Sequence, residues 1–470
     1  MIFVMFCSAP KINITIDKIM LKNSIVKEGW IWKKGEHLRN WRLRYYILLE
    51  NGQFLGYKKI PDEHTIKTPL NCFNVKSCEI FEIDSIKQFV FILKCFQQYS
   101  QIERIFSLSN ENDRKEWITA IRTTSQSCDE YVEEQEPTKV TLDDFDYIQV
   151  LGRGTFGKVM LCKEKSTEKL FAIKIIKKDT VFSKNQLNRT LTENRILKRI
   201  NHPFLTSLKY SFQTSDRLCF VMDYINGGEL FFHLRRFSRF SEERARFYTA
   251  EIVSALSYLH DLNIVYRDVK SENILLDKDG HVKLVDFGLS REALAYGDKS
   301  KSFCGTPEYM APEIIRRSGY GKEVDWWSTG VILYEMLCGN LPFYSSNYNT
   351  LFSLILLKNL KIPVHVSVEA RNLLRELLRK NPKHRLGSGL NDGKDVKAQS
   401  FFKSIDWFQL EERKIIPPFV PNITSEDDTR YFDLVVACES TSFTPPSQSP
   451  LSKEDNETLF GRFSFKDIRK

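Results

Sequence analysis

The sequence has no long apolar run. None of its hydrophobic stretches reaches the roughly 20 residues that a membrane-spanning helix needs, which predicts a chain that does not cross a bilayer. The opening Ile2–Cys7 is apolar but has no basic segment before it, so it does not read as a secretory signal. Ten cysteines are scattered between Cys7 and Cys438 with no CxxC pair and no Cys/His cluster at metal spacing. That excludes a disulfide-stapled or zinc-built scaffold and predicts reduced thiols in a cytosolic protein. Internal repeats are missing too, and the one biased tract is a Pro/Ser-rich stretch at 444–450. What is present is ordinary globular composition: 470 residues, 42% hydrophobic, 27% charged and 13% aromatic. This is more chain than one core usually covers, so two or three domains are expected. The 69 Lys+Arg against 60 Asp+Glu leave +9. That sign suits nucleic acid, phosphoinositide, nucleotide or acidic protein and does not choose among them.

Residues 24 to 122 read as short strands, Trp30–Trp32, Tyr45–Leu49, Phe54–Tyr57, Phe89–Phe96 and Arg104–Leu108, with turn signals such as Asn51-Gly52 between them. A helix from about Asn112 to Ser125 follows, with Trp117, Ile118 and Ile121 at helical spacing, able to lie along the strands. Asp129 to Glu136 then holds five acidic residues in eight and no basic one, the composition of a linker. From Phe145 a second domain is expected, Gly-rich strands giving way to helices at Gln186–Ile200, Glu242–His260, Trp326–Leu337 and Glu369–Arg379, and ending near Phe402. The remainder to Lys470 reads as a tail that needs another surface to lie on. The division is therefore 1–24 extension, 25–128, linker 129–144, 145–402, and tail 403–470, with Met20 as an alternative start.

The chemistry begins at Gly152-Arg153-Gly154-Thr155-Phe156-Gly157-Lys158-Val159. Glycines at this spacing let backbone N–H groups approach phosphates, but the pattern alone also fits an ordinary turn. A dinucleotide-binding loop would open a helix, whereas here two strand-like segments follow, Val159–Cys162 and Phe171–Ile175, which predicts a glycine flap between strands. Lys174 lies within the second of these apolar segments and needs an anion. Glu193 shares a helix face with Ile196, Leu197 and Ile200 and so points inward. Singly each reads as well as a solvated charge, and together they suggest an ion pair aimed at phosphates.

Tyr266-Arg267-Asp268-Val269-Lys270-Ser271-Glu272-Asn273, then Asp286-Phe287-Gly288, then Ala311-Pro312-Glu313, resemble the protein-kinase signature set. The resemblance implies an α+β bilobal kinase fold that uses ATP and Mg²⁺. It implies that Asp268 orients the substrate hydroxyl, Lys270 neutralises the transferring phosphoryl group, and Asn273 and Asp286 hold the metal. Gly152, Gly154, Gly157, Val159, Ala172, Lys174, Glu193 and Met222 are then the nucleotide-site positions. Lys270 with Ser-Glu-Asn, and Gly305-Thr306-Pro307-Glu308-Tyr309, resemble serine/threonine rather than tyrosine kinases. By the same resemblance Ser302 is the activating phosphosite, with Arg267 available to its phosphate. Glu229 and Glu272 match positions that receive peptide Arg side chains, with Glu335 a weaker third, so Ser/Thr protein substrates with upstream Arg are implied.

Phe443-Thr444-Pro445-Pro446 and Phe460-Gly461-Arg462-Phe463-Ser464-Phe465 resemble the turn and hydrophobic motifs of the AGC kinases. In that family the aromatics dock beside the helix that carries the Glu193 position, and Thr444 and Ser464 are the implied phosphosites. Ile25-Val26-Lys27-Glu28-Gly29-Trp30 and Trp41-Arg42-Leu43-Arg44-Tyr45, with Trp117, resemble a pleckstrin-homology domain, a small β barrel or sandwich capped by a C-terminal helix. Arg42 and Arg44 alternate along one strand and share a face. Taken together the chain resembles the Akt (protein kinase B, RAC) family from about residue 25 onward. The resemblance implies that Lys33, Arg42, Arg44, Asn71 and Arg104 bind phosphoinositide phosphates, with Cys72 standing where close relatives carry Asn. It further implies a monomer activated by upstream kinases, signalling downstream of phosphoinositide 3-kinase. Its location is cytoplasmic with recruitment to the plasma membrane, the nucleus being a further compartment, and nucleic acid drops out. Two alternatives stay open: a membrane-tethered pseudokinase scaffold, and an N-terminal domain that binds protein instead of lipid.

Overall fold

The computed structural model describes residues 25–35, 40–61, 69–75, 78–83, 87–97, 100–130, 140–154, 157–183, 186–292, 298–433, 439–441, 459–461 and 463–467. Residues 1–24, Arg39 and Thr444 lie outside this set. The chain divides into two compact units, residues 1–139 and 140–470.

The first unit is an antiparallel seven-stranded sheet: β1 (Ile25–Lys34), β2 (Trp41–Leu49), β3 (Gln53–Tyr57), β4 (Asn71–Asn74), β5 (Glu79–Ile83), β6 (Val90–Gln97) and β7 (Ser100–Ser107), in the order β4-β3-β2-β1-β7-β6-β5. Five strands were expected. The two additional ones are short and carry weak signals: β4 reads Asn-Cys-Phe-Asn with Phe73 its only core residue, and β5 reads Glu-Ile-Phe-Glu-Ile with no buried residue. The Asn51-Gly52 turn is present, with Gly52 at φ 82° and its N–H donated to Leu49. Helix α1 (Glu111–Glu130) extends past the expected Ser125 into the start of the acidic segment. It buries Trp117, Ile118 and Ile121 against Ile31, Tyr46, Phe54, Phe91 and Phe106, which is this unit's core.

The second unit opens with the strands β8 (Phe145–Gly154), β9 (Gly157–Glu164) and β10 (Leu170–Lys177), then α2 (Lys178–Ser183), α3 (Leu187–Arg199), β11 (Leu208–Gln213) and β12 (Arg217–Asp223). The helical lobe holds α4 (Leu230–Phe237), α5 (Glu242–Asp261), the ribbon β13 (Ile274–Leu276) and β14 (Val282–Leu284), α6 (Pro312–Ile315), α7 (Glu323–Cys338), α8 (Tyr348–Leu357) and α9 (Val368–Leu377). Helix α7 is buried on nearly every side, as expected where apolar residues surround the axis. Among the described residues no helix is long and apolar enough to cross a membrane. Cys72, Cys78, Cys95, Cys162, Cys219, Cys304 and Cys338 are free thiols.

The tail does lie on another surface. β15 (Phe465–Lys466) pairs with β11 and completes a sheet of order β15-β11-β12-β10-β9-β8, and Phe460 and Phe463 are fully buried in the same cluster as Ile196 and Leu197 of α3. Phe463 meets Phe220 edge-on at 5.1 Å and Phe460 meets Phe182 at 6.1 Å. Hydrogen bonds fix the segment: Ser211 Oγ donates to the Phe463 carbonyl (2.7 Å) and Gln213 Nε2 to the Phe460 carbonyl (3.0 Å). Farther back, the Arg244 guanidinium lies 3.9 Å from the Phe240 ring and 3.8 Å from Phe419, stacking the tail on the helical lobe.

Candidate active site and lipid-binding face

β8 and β9 form the hairpin whose tip is the glycine flap, so strands and not a helix flank it. A Cβ on Gly157 would stand 1.9 Å from the Ile175 carbonyl oxygen, so only glycine lets β9 run this close to β10. At Gly152 a Cβ would meet nothing within 4 Å, which leaves the space under the flap open. The register pairs Gly152 with Val159, Val159 with Lys174, and Ala172 with Met222. Cross-strand partners share a face, so these nucleotide-site positions line one wall. All but Gly152 and Lys174 among them are apolar, and Val159, Ala172 and Met222 are only half-buried.

Lys174 reaches from that wall to Glu193 on α3 at 2.6 Å and to Asp286 at 3.1 Å. Burial alone would pull its ammonium toward neutrality. The Asp286 and Glu193 carboxylates outweigh that and hold it well above the usual lysine range. In return the Lys174 charge pulls Asp286 below the usual carboxylate range, helped by the Gly288 N–H at 3.2 Å. Asp286 sits at φ 59°, in the left-handed region.

The loop before β13 places Asp268 at the centre of a network. Its Oδ2 accepts from Asn273 Nδ2 (2.7 Å) and lies 3.4 Å from Lys270 Nζ, while its Oδ1 accepts from Thr306 Oγ1 (3.0 Å). Asn273 Nδ2 is also 3.0 Å from the Asp268 carbonyl, so the group Asn273 has left to offer is its carbonyl oxygen. That oxygen and the Asp286 carboxylate are hard donors of the kind Mg²⁺ takes alongside substrate phosphates. The loop is held in shape from below by Asp325 of α7, which accepts from the backbone N–H groups of Tyr266 and Arg267, each at 2.8 Å. Arg267 at φ 70° is strained backbone, and these bonds help hold it there. His260 bridges Asp325 (2.9 Å) and Asp392 (3.0 Å) behind it.

Thr306 and Asp325 carry roles that sequence reasoning did not assign. Asp325 had a signal, an acid inside the apolar run of α7. Thr306 had none beyond its place in the quoted motif.

The three acids form one group. Glu229 is pushed up by burial and then by the Glu272 charge. Glu335 is raised to about 7, by burial first, while the Tyr309 hydroxyl donates to it at 2.8 Å. Ser302 is exposed, its carbonyl accepting from the Tyr320 hydroxyl (2.9 Å), to which Arg267 also donates (3.1 Å). Arg267 therefore reaches the loop through Tyr320. It shares a cavity of about 340 Å³ with Ser302, and Arg189, Arg195 and Arg291 line that cavity too. These three arginines were missed because they come from α3 and from the segment after β14, far apart in sequence. Ser464 is exposed beside Lys198, which donates to its carbonyl at 3.3 Å.

In the first unit the five lipid-site positions fall on one face by register. Lys33 is opposite Arg42 and Ile31 opposite Arg44; Tyr46, in step with both arginines, is opposite Gly56, which is opposite Asn71; and Lys33 is opposite Phe106, in step with Arg104. Lys33 Nζ donates to Asn71 Oδ1 (3.1 Å), and both Lys33 and Arg104 lie over the Phe73 ring, at 5.5 and 5.7 Å. Cys72 pairs with Leu55 and points to the opposite face. The thiol therefore does not share the basic face.

The protein kinase domain family matches residues 145–402 and the PH domain family residues 25–126. The chain is 48% identical to the RAC serine/threonine-protein kinase of Drosophila melanogaster, covering 94% of this chain and 79% of that protein. It is 48% identical to RAC-beta serine/threonine-protein kinase B of Xenopus laevis (90% and 94%) and 46% identical to RAC-beta serine/threonine-protein kinase of Homo sapiens (94% and 98%).

Proposed function

The chain belongs to the RAC (Akt) family of serine/threonine-protein kinases, and from that premise we propose which residues carry its phosphoryl transfer and its membrane recruitment. It is a serine/threonine-protein kinase whose PH domain recruits it to membranes for signalling, and the scaffold alternative is not supported. The single observation that carries the assignment is the convergence of Lys174, Glu193 and Asp286 opposite Asp268 and Asn273.

Val159, Ala172 and Met222 would hold the base of ATP under the flap, and Lys174 would hold its phosphates. Asn273 and Asp286 would hold Mg²⁺, which would neutralise phosphate charge. Asp268, its rotamer fixed by Thr306 and Asn273, orients the substrate hydroxyl and takes its proton. The hydroxyl oxygen bonds to the γ-phosphorus as the bridging P–O bond breaks, giving ADP and a phosphoester, and Lys270 balances the charge of the group in transit. Glu229 and Glu272 receive Arg side chains upstream of the target Ser or Thr. Phosphate on Ser302 enters the arginine-lined cavity, and because Arg189 stands on α3 with Glu193, its capture favours the paired Lys174–Glu193 state. The docked Phe460 and Phe463 bias the same helix, with Ser464 and Thr444 as further sites for upstream kinases. Lys33, Arg42, Arg44, Asn71 and Arg104 bind the phosphoinositide headgroup. The working unit is a monomer that moves between cytoplasm and plasma membrane.

The test is transfer from γ-labelled ATP to an Arg-containing Ser peptide by the Ser302-phosphorylated chain. Asp286→Ala is expected to lower kcat about a thousandfold. Transfer that is absent in the parent chain, or indifferent to Asp286→Ala, would overturn the assignment.

A further inference from the structure

The arginine-lined cavity beside Ser302 already holds an anion. Of the described residues that line it, Glu292 is the one carboxylate, set among Arg189, Arg195, Arg267 and Arg291. Its two oxygens are divided between two residues of α3: Oε2 accepts from Arg195 Nε and Oε1 from Arg199 Nη1, each at 2.9 Å. Glu292 is 18% exposed and Arg199 21%, while Arg195, at 54%, is steadied by a second bond from Nη2 to Thr192 Oγ1 at 2.8 Å. A carboxylate this covered depends on its partners.

Neither end of this clasp is loose. Arg291, the residue before Glu292, exchanges backbone hydrogen bonds with Val265 at 2.9 and 3.0 Å, and the Leu289 carbonyl accepts from Arg267 Nε at 2.6 Å. Val265 stands shortly before Asp268 in the chain, so Glu292 is fixed to the segment that carries the catalytic loop. Arg195 and Arg199 are one turn apart on α3 and share a face. Arg195 follows Glu193 at i+2, which turns that face away from the one that meets Lys174. The Lys174–Glu193 bond of 2.6 Å and the clasp therefore grip one helix from two sides. Ser302 carries no charge until it is phosphorylated, whereas Glu292 is an anion in both states.

We propose that Glu292 is a positioning residue for phosphoryl transfer. Through Arg195 and Arg199 it holds α3 where Glu193 pairs with Lys174 while Ser302 is unphosphorylated, and the phosphate takes over that task afterwards. The proposal rests on the reading that phosphate on Ser302 enters this cavity. Such a phosphate brings a charge of about −1.5 to −2 into the space that Glu292 lines. Arg195 commits N–H groups to Glu292 and Thr192 and has others to offer. A phosphate with three acceptor oxygens competes well for them, and its like charge weakens the hold of Glu292. The clasp thus sets the activity of the unphosphorylated chain and matters little once the phosphate is in place.

The experiment measures kcat and KM for ATP with the full chain and an Arg-containing Ser peptide, in a Ser302→Ala background and, separately, in the chain phosphorylated on Ser302. In the Ser302→Ala background Glu292→Gln is expected to lower kcat/KM about tenfold, and in the phosphorylated chain no more than about twofold, a result that also shows the variant to be folded. Arg199→Glu should reproduce the loss, and exchanging the charges, Arg199→Glu with Glu292→Arg, should recover most of it. Losses that are equal in the two backgrounds would overturn the proposal, because Glu292 would then serve the fold whatever the state of Ser302. So would an unchanged kcat/KM in the unphosphorylated background, or an exchange that restores nothing. A parent chain whose kcat/KM does not rise on Ser302 phosphorylation would instead overturn the reading of that site on which the proposal rests.

Discussion

The two functional surfaces of this chain are built from the same kinds of side chain in opposite settings. In the kinase unit charges are matched and most are buried: Lys174, itself half-buried, between two carboxylates, Asp325 under two backbone N–H groups, Arg385 against Glu313. On the concave face of the PH unit Arg42 is exposed and Arg44 half-exposed, their guanidinium groups resting on Asn40 and the Leu43 carbonyl. Burial makes a charge part of the fold, while exposure leaves it available for a ligand to complete.

The largest expected effect lies at the buried extreme. Arg385 and Glu313 are both essentially inaccessible and meet through two bonds of 2.6 and 2.9 Å. Arg385→Ala strands the Glu313 carboxylate and should destabilise the kinase unit by about 3–5 kcal/mol. Arg42→Ala should change PH-unit stability by no more than about 0.5 kcal/mol. Denaturant unfolding of the two variants checks both, and equal losses would break the contrast.

A smaller effect is visible in pH. Burial alone would lower the His260 pKa, but its hydrogen bonds and ion pairs with Asp325 and Asp392 outweigh that and raise it to about 9, against 6.5 for the free side chain. A folded pKa above the unfolded one stabilises fully below about pH 6.5 and is lost as pH rises through 9. The contribution is on the order of 3 kcal/mol. Thermal unfolding of the kinase unit from pH 6 to 10 should decline across that window, and His260→Gln should flatten the decline. An unchanged slope in the variant would show that other groups carry it.

The same contrast decides what could be read before the structure. The residues proposed to act on one phosphate lie close in sequence because one loop carries them: Asp268, Lys270 and Asn273 span six positions. Lys174 was legible from its place in an apolar strand and Glu193 from the apolar face of its helix, and together they pointed to an ion pair. The lipid face has no such signature. Its five residues come from four strands and converge by register, one of those strands being the four-residue β4 that period-two reading passed over. Resemblance supplied them, and the pairing pattern supplied the reason that Cys72 is not among them. Arg189, Arg195 and Arg291 near Ser302 were hidden in the same way, since they come from two segments far apart in sequence that leave no spacing to read.

The smallest effect tests whether burial or location governs. Glu439 of the tail reaches Lys158 on β9 at 3.2 Å and Arg153 on β8 at 3.4 Å, so a single carboxylate clasps both strands of the glycine flap. Ser440 extends the tether, its carbonyl accepting from Lys158 at 3.3 Å. Arg153 is 67% exposed, however, so these pairs resemble the open charges of the PH face although they stand at the nucleotide site. Solvent and salt screen such pairs, and two flexible cations lose side-chain entropy in holding one geometry. Glu439→Gln should therefore raise KM for ATP only about twofold to fivefold at low salt, with kcat nearly unchanged because no catalytic group moves. At about 0.5 M salt the variant and parent should converge. A loss approaching that of Asp286→Ala, or one that salt does not relieve, would mean that position in the cleft outweighs exposure, and the distinction between the two surfaces would have to be drawn on other grounds.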